Sequence, residues 1–395
     1  MINIFQPSLG EEEIKALRKL FKTNWLGRGP IEKKFVDTIS KKLKISSSSE
    51  GGYSFVQSKN LTTLNCCTEG LFQSMSLIGI GPGDEVILPS LSFVGAANAV
   101  IDCGATPVFC DVEVDTFNTT AKHIEPLITR NTKAVILLHY GGVPCDIYPI
   151  IELCKKHNIK VIEDNANSPF SSHKGRSTGT IGDYGIWSFD SMKMLVMGDG
   201  ALFYAKNEDD IDKLKSLSYL GMTSKSGFDN VSSETWWEFE VNCAGRRSII
   251  NDINATLGMV QLEKIDGFIS RRKLIHDLYC EELSDIENLY LPKPINSYDV
   301  SSYYLFHVRT PYRNKFAKYL RDNGIYVTLK YHPLHKVSFY KNNTIDKLWN
   351  KNLPNTDLIG DTAICLPLHQ GLTDDEINKT IKLIKTFFNE RIFQK

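Results

Sequence analysis

The 395-residue sequence contains no apolar run long enough to span a bilayer, which takes about 20 consecutive apolar residues. No membrane association is expected. Charge of one sign is also missing: 46 basic and 46 acidic side chains cancel. No basic stripe is available for a phosphate backbone, so nucleic acid is not expected as a partner. There is no CxxC pair. The nine cysteines, Cys66, Cys67, Cys103, Cys110, Cys145, Cys154, Cys243, Cys280 and Cys365, are odd in number and scattered. That argues against a disulfide framework and for a reduced, cytoplasmic protein with packing cysteines and no metal. The stretch MINIFQPSLGEEEI lacks a basic leader followed by an apolar core, so a secretory signal is not expected. No GxGxxG joins a first strand to its helix, which removes a dinucleotide-binding reading. Internal repeats are absent.

What is present is ordinary for a soluble globular chain: 42% hydrophobic and 23% charged residues. The length suggests two or three domains, or one large domain with an appendage. Residues 10–23 carry acids early, bases late and apolar residues at helical spacing, which predicts an amphipathic helix. TNWLGRGP follows as a turn, and the Ser/Gly-rich residues 45–60 read as a loop or insertion. Then a rhythm begins. Helical stretches (EGLFQSMSLIGI, FVGAANAVIDC, HIEPLI, IYPIIELCKKHN) alternate with short continuous apolar runs (EVILPS, TPVFCDV, KAVILLHY, KVIEDNA). Continuous rather than alternating strands are those covered by helices on both faces. The pattern predicts an α/β fold with a mainly parallel sheet sandwiched by helices. A long helical stretch from about residue 248 leads to short strands (YYLFHVRT, IYVTLKY) and a C-terminal helix. The expected organisation is an N-terminal helix and turn over 1–30, a large α/β domain over 31–265, and a smaller α+β domain over 266–395.

One lysine stands out. Lys193 sits inside the apolar run of SFDSMKMLVMGDGA, just before a Gly-Asp-Gly turn. Alone, it reads as a surface lysine whose stem lies along apolar surface. Asp164 ends the strand KVIED, where an acid is commonly a turn or cap residue. Ser188 ends a second apolar stretch, five residues before the lysine. Ligands of parallel sheets gather at the carboxyl ends of strands. An amine nucleophile, an acid and a hydroxyl at neighbouring strand ends suit pyridoxal 5'-phosphate (PLP). That cofactor needs a Schiff-base lysine, an acid at its pyridine nitrogen and donors for its phosphate. Cys67 and Thr68 open the first helix of the rhythm, where backbone amides are free for an anion. Thr68 also reads as a plain helix cap.

These segments resemble the DegT–DnrJ–StrS family of PLP-dependent sugar aminotransferases, which have the aspartate-aminotransferase fold, type I. The resemblance runs through WLGRGP (25–30), GIGPGDEVILPSLSFVGAANAV (79–100), PVFCDVEVDTFN (107–118), HYGG (139–142), VIEDNANS (161–168), SFDSMK (188–193) with GDG (198–200), YHPLH (331–335) and LPLHQGLTDDE (366–376). Their order and spacing together are specific.

The resemblance implies that Lys193 is the Schiff-base lysine and the acid/base at the substrate carbon, with Asp164 at the pyridine nitrogen. It implies that Phe93 stacks on the cofactor ring, although an aromatic there otherwise reads as core. Ser188, Thr68 and the Cys67 backbone would hold the phosphate, and Asn167 would stand near the ring oxygen. His335 is similar to a family histidine near the sugar. Cys67 stands where many relatives have Gly, and Ala201 replaces the last Gly of the loop after the lysine. The stretch VNCAGRRSIINDINA (241–255) departs from the family's Gly-Tyr-Asn-Tyr-Arg and puts Arg247 where an Asn reaches the neighbouring subunit's phosphate. The implied reaction is amino transfer from L-glutamate to a keto-sugar nucleotide, with pyridoxamine 5'-phosphate (PMP) as the intermediate and ping-pong kinetics. A 4-keto-6-deoxy sugar, a homodimer with shared active sites and a role in surface polysaccharide are expected on the same ground. Two other readings stay open: a PLP/PMP-dependent sugar dehydratase, which the presence of Lys193 disfavours, and a non-catalytic member of the fold.

Overall fold

The computed structural model describes residues 1–47, 53–222, 237–343 and 352–394. The short apolar runs form strands β1 (Leu61–Leu64), β2 (Glu85–Pro89), β3 (Thr106–Cys110), β4 (Thr132–Leu138), β5 (Lys160–Asp164), β6 (Tyr184–Ser188) and β7 (Ala201–Ala205). Among the described residues they make one seven-stranded sheet in the order β1-β7-β6-β5-β4-β2-β3. Only β7 runs against its neighbours; the other pairings are parallel. Side chains leave alternate faces of a strand, and here both faces are dry. Tyr184, Ile186 and Phe203 enter a core beneath the helices Cys67–Ile78, Val94–Asp102 and Glu208–Leu217. Trp187, Leu202 and Tyr204 enter the opposite core with Phe35, Ile39 and Leu262. Burial on both faces explains why these strands read as unbroken apolar runs.

Pairing registers the site. Ile186 of β6 lies opposite Asp164 of β5, so the carboxyl ends of the two strands are side by side. The first helix runs over Glu11–Phe21, and the next, Pro30–Ser40, begins at the WLGRGP turn. That helix start is held from far away: Asp252 Oδ1 accepts the amides of Gly29 at 3.1 Å and Glu32 at 3.0 Å. Asp252 opens a 32-residue helix, Asp252–Leu283, capped by Asn251. Its first half packs Ala255, Leu262 and Ile265 against the sheet. Its last turns pack Ile275, Tyr279 and Leu283 into a second core built on the antiparallel pair β8 (Phe306–Arg309) and β9 (Ala363–Leu366). The expected boundary at 265/266 therefore lies inside one continuous helix. Ile2 also joins the C-terminal core, through a backbone bridge to Ile325. Among the described residues no helix is long and apolar enough to cross a membrane.

Two expectations are corrected. The loop or insertion expected at 45–60 holds most of a two-stranded antiparallel ladder, Lys44–Ser47 with Tyr53–Phe55; residues 48–52 of it lie outside the described residues. IYVTLKY is not a strand but makes isolated bridges, Ile325 to Ile2 and Thr328 to Cys365. Its two ends bond different partners, so no ladder propagates.

Candidate functional site

The carboxyl end of β5 carries two acids that strand alternation sends to opposite sides. Glu163 is fully buried and structural. Its Oε2 accepts the Gly179 amide at 2.7 Å and faces His139 Nε2 at 3.0 Å. Its Oε1 accepts the amides of Ile181 at 2.7 Å and Gly182 at 2.6 Å. The Cys145 amide donates to His139 Nδ1 at 3.0 Å, which assigns the imidazole proton to Nε2 and makes that atom a donor to Glu163. No local signal in VIED marks this acid as the one that backbone donors satisfy.

Asp164 points the other way. Its Oδ1 accepts the Ala166 amide at 2.9 Å and stands 4.0 Å from the Cys67 thiol. Its Oδ2 has no hydrogen-bond partner among the described residues. Burial pushes the Asp164 carboxyl above its ordinary range, while the Ala166 amide and the Lys193 ammonium pull it back. Burial also raises the Cys67 thiol well above its usual value, helped by the Asp164 charge. That favours Cys67 as a neutral thiol donating towards Asp164.

Lys193 follows β6 and is half-buried above Met194, Leu195, Val196 and Met197, which are buried. The chain then turns back into β7 through Gly198 at φ +84° and Gly200 at φ +154°, values that suit only glycine without strain. The Lys193 Nζ makes no hydrogen bond or ion pair among the described residues. It lies 5.0 Å from the centre of the Tyr304 ring. Ser188 is buried at the end of β6, where its hydroxyl accepts the Asp190 amide at a long 3.5 Å.

Cys67 and Thr68 occupy the first turn of the helix Cys67–Ile78, where amides have no partner within the helix. Phe93 precedes the helix Val94–Asp102 and is 50% exposed, so it is not a core aromatic. A Cβ on Gly95 would stand 3.1 Å from Thr68 Oγ1 and 3.3 Å from the Phe93 ring. Glycine there lets both side chains approach one spot. Asn167 is fully buried; its Nδ2 donates to the Tyr331 hydroxyl at 3.2 Å, and its Oδ1 has no partner. Tyr331 in turn lies 6.0 Å from Phe93, ring centre to ring centre.

These residues fit PLP. A one-sided carboxylate, an unpaired amine, an aromatic kept open by Gly95, an under-satisfied amide and a helix start surround one region. Asp164 would pair with the ring nitrogen, Phe93 would cover the ring, and Cys67, Thr68 and Ser188 would hold the phosphate.

Two expected residues stand differently. His335 is spent within the chain: Nδ1 lies 2.7 Å from the Ser90 hydroxyl and Nε2 lies 3.0 Å from Asp357 Oδ1. Its amide also donates to Ser90 at 3.1 Å. It ties the YHPLH turn to the segment that carries Phe93, and neither ring nitrogen is left for a sugar. Arg247 is exposed, with its guanidinium 5.0 Å from the centre of the Tyr219 ring. It is the neighbouring Arg246 that is anchored inside the subunit, to Glu69 and Asp102. Tyr304, Tyr331 and Lys330, which close the site from the C-terminal part of the chain, carried no local signal of such a role.

The chain matches the model of the DegT/DnrJ/EryC1/StrS aminotransferase family over residues 7–385. A dTDP-4-dehydro-2,3,6-trideoxy-D-glucose 4-aminotransferase from Saccharopolyspora spinosa is 40% identical over 380 residues, 95% of this chain and 94% of that protein. The crystal structure of an aminotransferase TlmJ from Streptoalloteichus hindustanus superposes with a TM-score of 0.90 at 42% identity, covering 99% of this chain and 100% of that one. A putative sugar aminotransferase Spr1654 from Streptococcus pneumoniae, solved in a PLP form, superposes with a TM-score of 0.85 at 25% identity over 98% of both chains. Its PMP form gives 0.87 at 25% identity, over 99% of this chain and 100% of that one.

Proposed function

The chain belongs to the DegT/DnrJ/EryC1/StrS aminotransferase family and is a PLP-dependent sugar aminotransferase, and from that premise we propose that it moves the amino group of L-glutamate to a nucleotide-linked 4-keto-6-deoxy hexose. The observation that carries the reading is the Lys193 amine, which has no ion-pair partner among the described residues and stands where its charge acts on the buried Asp164. A 4-keto substrate is supported by the 4-aminotransferase activity for which the 40% identical S. spinosa protein is named.

When bound, PLP supplies an electron sink for the carbon that loses or gains a proton. The chain does the rest. Asp164 would pair with the ring nitrogen, Phe93 would cover the ring, and Asn167 would reach the ring oxygen. The Cys67 and Thr68 amides with the Ser188 hydroxyl would hold the phosphate. Lys193 Nζ would carry the proton to and from the substrate carbon in both halves of the cycle. One site serving two substrates in turn implies ping-pong kinetics.

We assign the protein to the cytoplasm and to the supply of amino sugar for surface polysaccharide. It works as a homodimer with shared sites. Exposed Met192, Leu220 and Val241 beside the Lys193 loop and the Arg247 stretch support a covered face, and Arg247 would cross to the partner's phosphate. The test is the visible absorption of protein loaded with PLP, before and after L-glutamate, for wild type and Lys193→Ala. The expected result is a visible band that glutamate bleaches and a keto-sugar nucleotide restores, lost in the variant. A band untouched by glutamate would refute the donor, and no band in the wild type would refute the cofactor site.

A further inference from the structure

Lys330 ends the segment IYVTLK and is only partly exposed. Its Nζ lies 3.9 Å from the centre of the Phe5 ring and 5.6 Å from that of Tyr304. The Tyr304 hydroxyl accepts from it at a long 3.4 Å. The same Tyr304 ring carries the Lys193 ammonium, so two like charges share one buried phenol. Neither has a carboxylate partner among the described residues. Burial, then repulsion from Lys193, brings the Lys330 pKa from 10.5 down to about 8. Cys365 and then Asp190 act in the opposite sense, but the Asp190 oxygens are taken by the Met192 amide and the Ser191 hydroxyl. Aromatic faces give a cation only part of what an anion would. A partly desolvated, unpaired ammonium costs free energy that an arriving anion offsets.

Several other basic groups near the site are committed. Arg272 is buried on the carbonyls of Tyr303, Tyr304 and Leu368. His139 and His335 are bonded within the chain, Arg247 lies out on Tyr219, and Lys193 is reserved for the cofactor.

An amino donor must bring its nitrogen to the place of the Lys193 nitrogen. If the donor is an α-amino acid, its carboxylate hangs from the adjoining carbon and travels to the same spot. The diphosphate of a nucleotide sugar hangs from the anomeric carbon, across the ring from a 4-keto group, and so lies farther from Lys193. We propose that Lys330 is the residue that binds the α-carboxylate of the amino donor, with Phe5 and Tyr304 holding its ammonium towards Lys193. The inference rests on the donor being an amino acid, as proposed above.

The test uses PLP-loaded protein and binding rather than turnover. Glutarate, which has two carboxylates and no amine, is titrated by calorimetry into wild type, Lys330→Met and Lys330→Arg, with thymidine diphosphate as a parallel probe. The visible band of bound PLP shows that each variant has built its site. The expected result is glutarate affinity reduced roughly 10- to 100-fold in Lys330→Met, the range for a lost bond to a charged group. Lys330→Arg should retain most of it, and thymidine diphosphate should bind all three alike. Equal glutarate affinity in wild type and Lys330→Met overturns the proposal. So does a wild type that does not bind glutarate, or a loss confined to thymidine diphosphate, which would give Lys330 to the nucleotide. Failure of L-glutamate to bleach the wild-type band is a separate result and strikes the donor assignment, not the glutarate comparison.

Discussion

Replacing Glu163 by Gln removes one charge and exchanges one oxygen for an NH2 group, with almost no change of shape. Either orientation of the new amide fails. With nitrogen in the place of Oε1 it faces the Ile181 and Gly182 amides, both donors. With nitrogen in the place of Oε2 it faces the Gly179 amide and His139 Nε2. His139 could move its proton to Nδ1, but the Cys145 amide would then lose its acceptor. Two bonds are lost in each case, and bonds to a charged group are worth about 1.5–3 kcal/mol each. The expected loss is about 3–6 kcal/mol, large beside a typical total stability of about 5–15 kcal/mol. The damage falls on the loop 178–182 and on the floor beneath Asp164. Hydrogen–deuterium exchange of peptides covering 179–182, in cofactor-free protein, reads it directly. At about 1.4 kcal/mol per factor of ten, exchange should quicken by roughly 100- to 10,000-fold. Exchange within tenfold of wild type in Glu163→Gln would refute the four-donor account.

Phe93→Ala should separate cofactor binding from stability. The ring is half-exposed, so its loss should cost under about 0.5 kcal/mol of stability, while PLP affinity, followed by visible titration, falls roughly tenfold for lost stacking. Unchanged affinity with a lowered unfolding midpoint would make Phe93 a packing residue after all. Lys330→Met should change the pH dependence of stability. The unfolded chain takes up the lysine proton below pH 10.5, and the folded chain only below about 8. Between those values the unfolded state holds more protons, so wild-type stability rises with pH and falls as pH drops towards 8. The cofactor-free wild type should gain on Lys330→Met by at most roughly 3 kcal/mol between pH 8 and 10.5. Parallel denaturation curves across that range would mean that the ammonium is solvated.

Much of the sheet is readable because burial on two faces leaves short apolar runs, and the punctuation between them marks helix starts. Lys193, Asp164 and Ser188 are readable for a related reason: each interrupts or ends such a run where ligands gather. Phe93 and Thr68 need more than their own surroundings, since each also suits a bland role; that Gly95 lets the two side chains approach one spot is visible only in the fold. His335 shows the limit from the other side. A histidine beside a substrate and one that bonds Ser90 and Asp357 look the same in YHPLH, and its partners lie 245 and 22 residues away.

The hidden half of the site has a common cause. Tyr304, Lys330 and Tyr331 belong to the C-terminal part of the chain and face the sheet only because one helix carries the chain from one core to the other. Lys330 in particular follows YVTL, where period-two alternation predicts a strand and an outward lysine. The segment makes two single bridges instead, to Ile2 and to Cys365, and its last side chain settles on Phe5 and Tyr304. Glu163 and Asp164 give the local version of the same lesson. Alternation along β5 turns one acid to the interior, where backbone donors satisfy it. It turns the next towards the Lys193 amine, where one oxygen is left without a partner among the described residues. Sequence shows two carboxylates in a row and marks the second as the strand's end; the direction of the pleat shows that the two serve opposite faces.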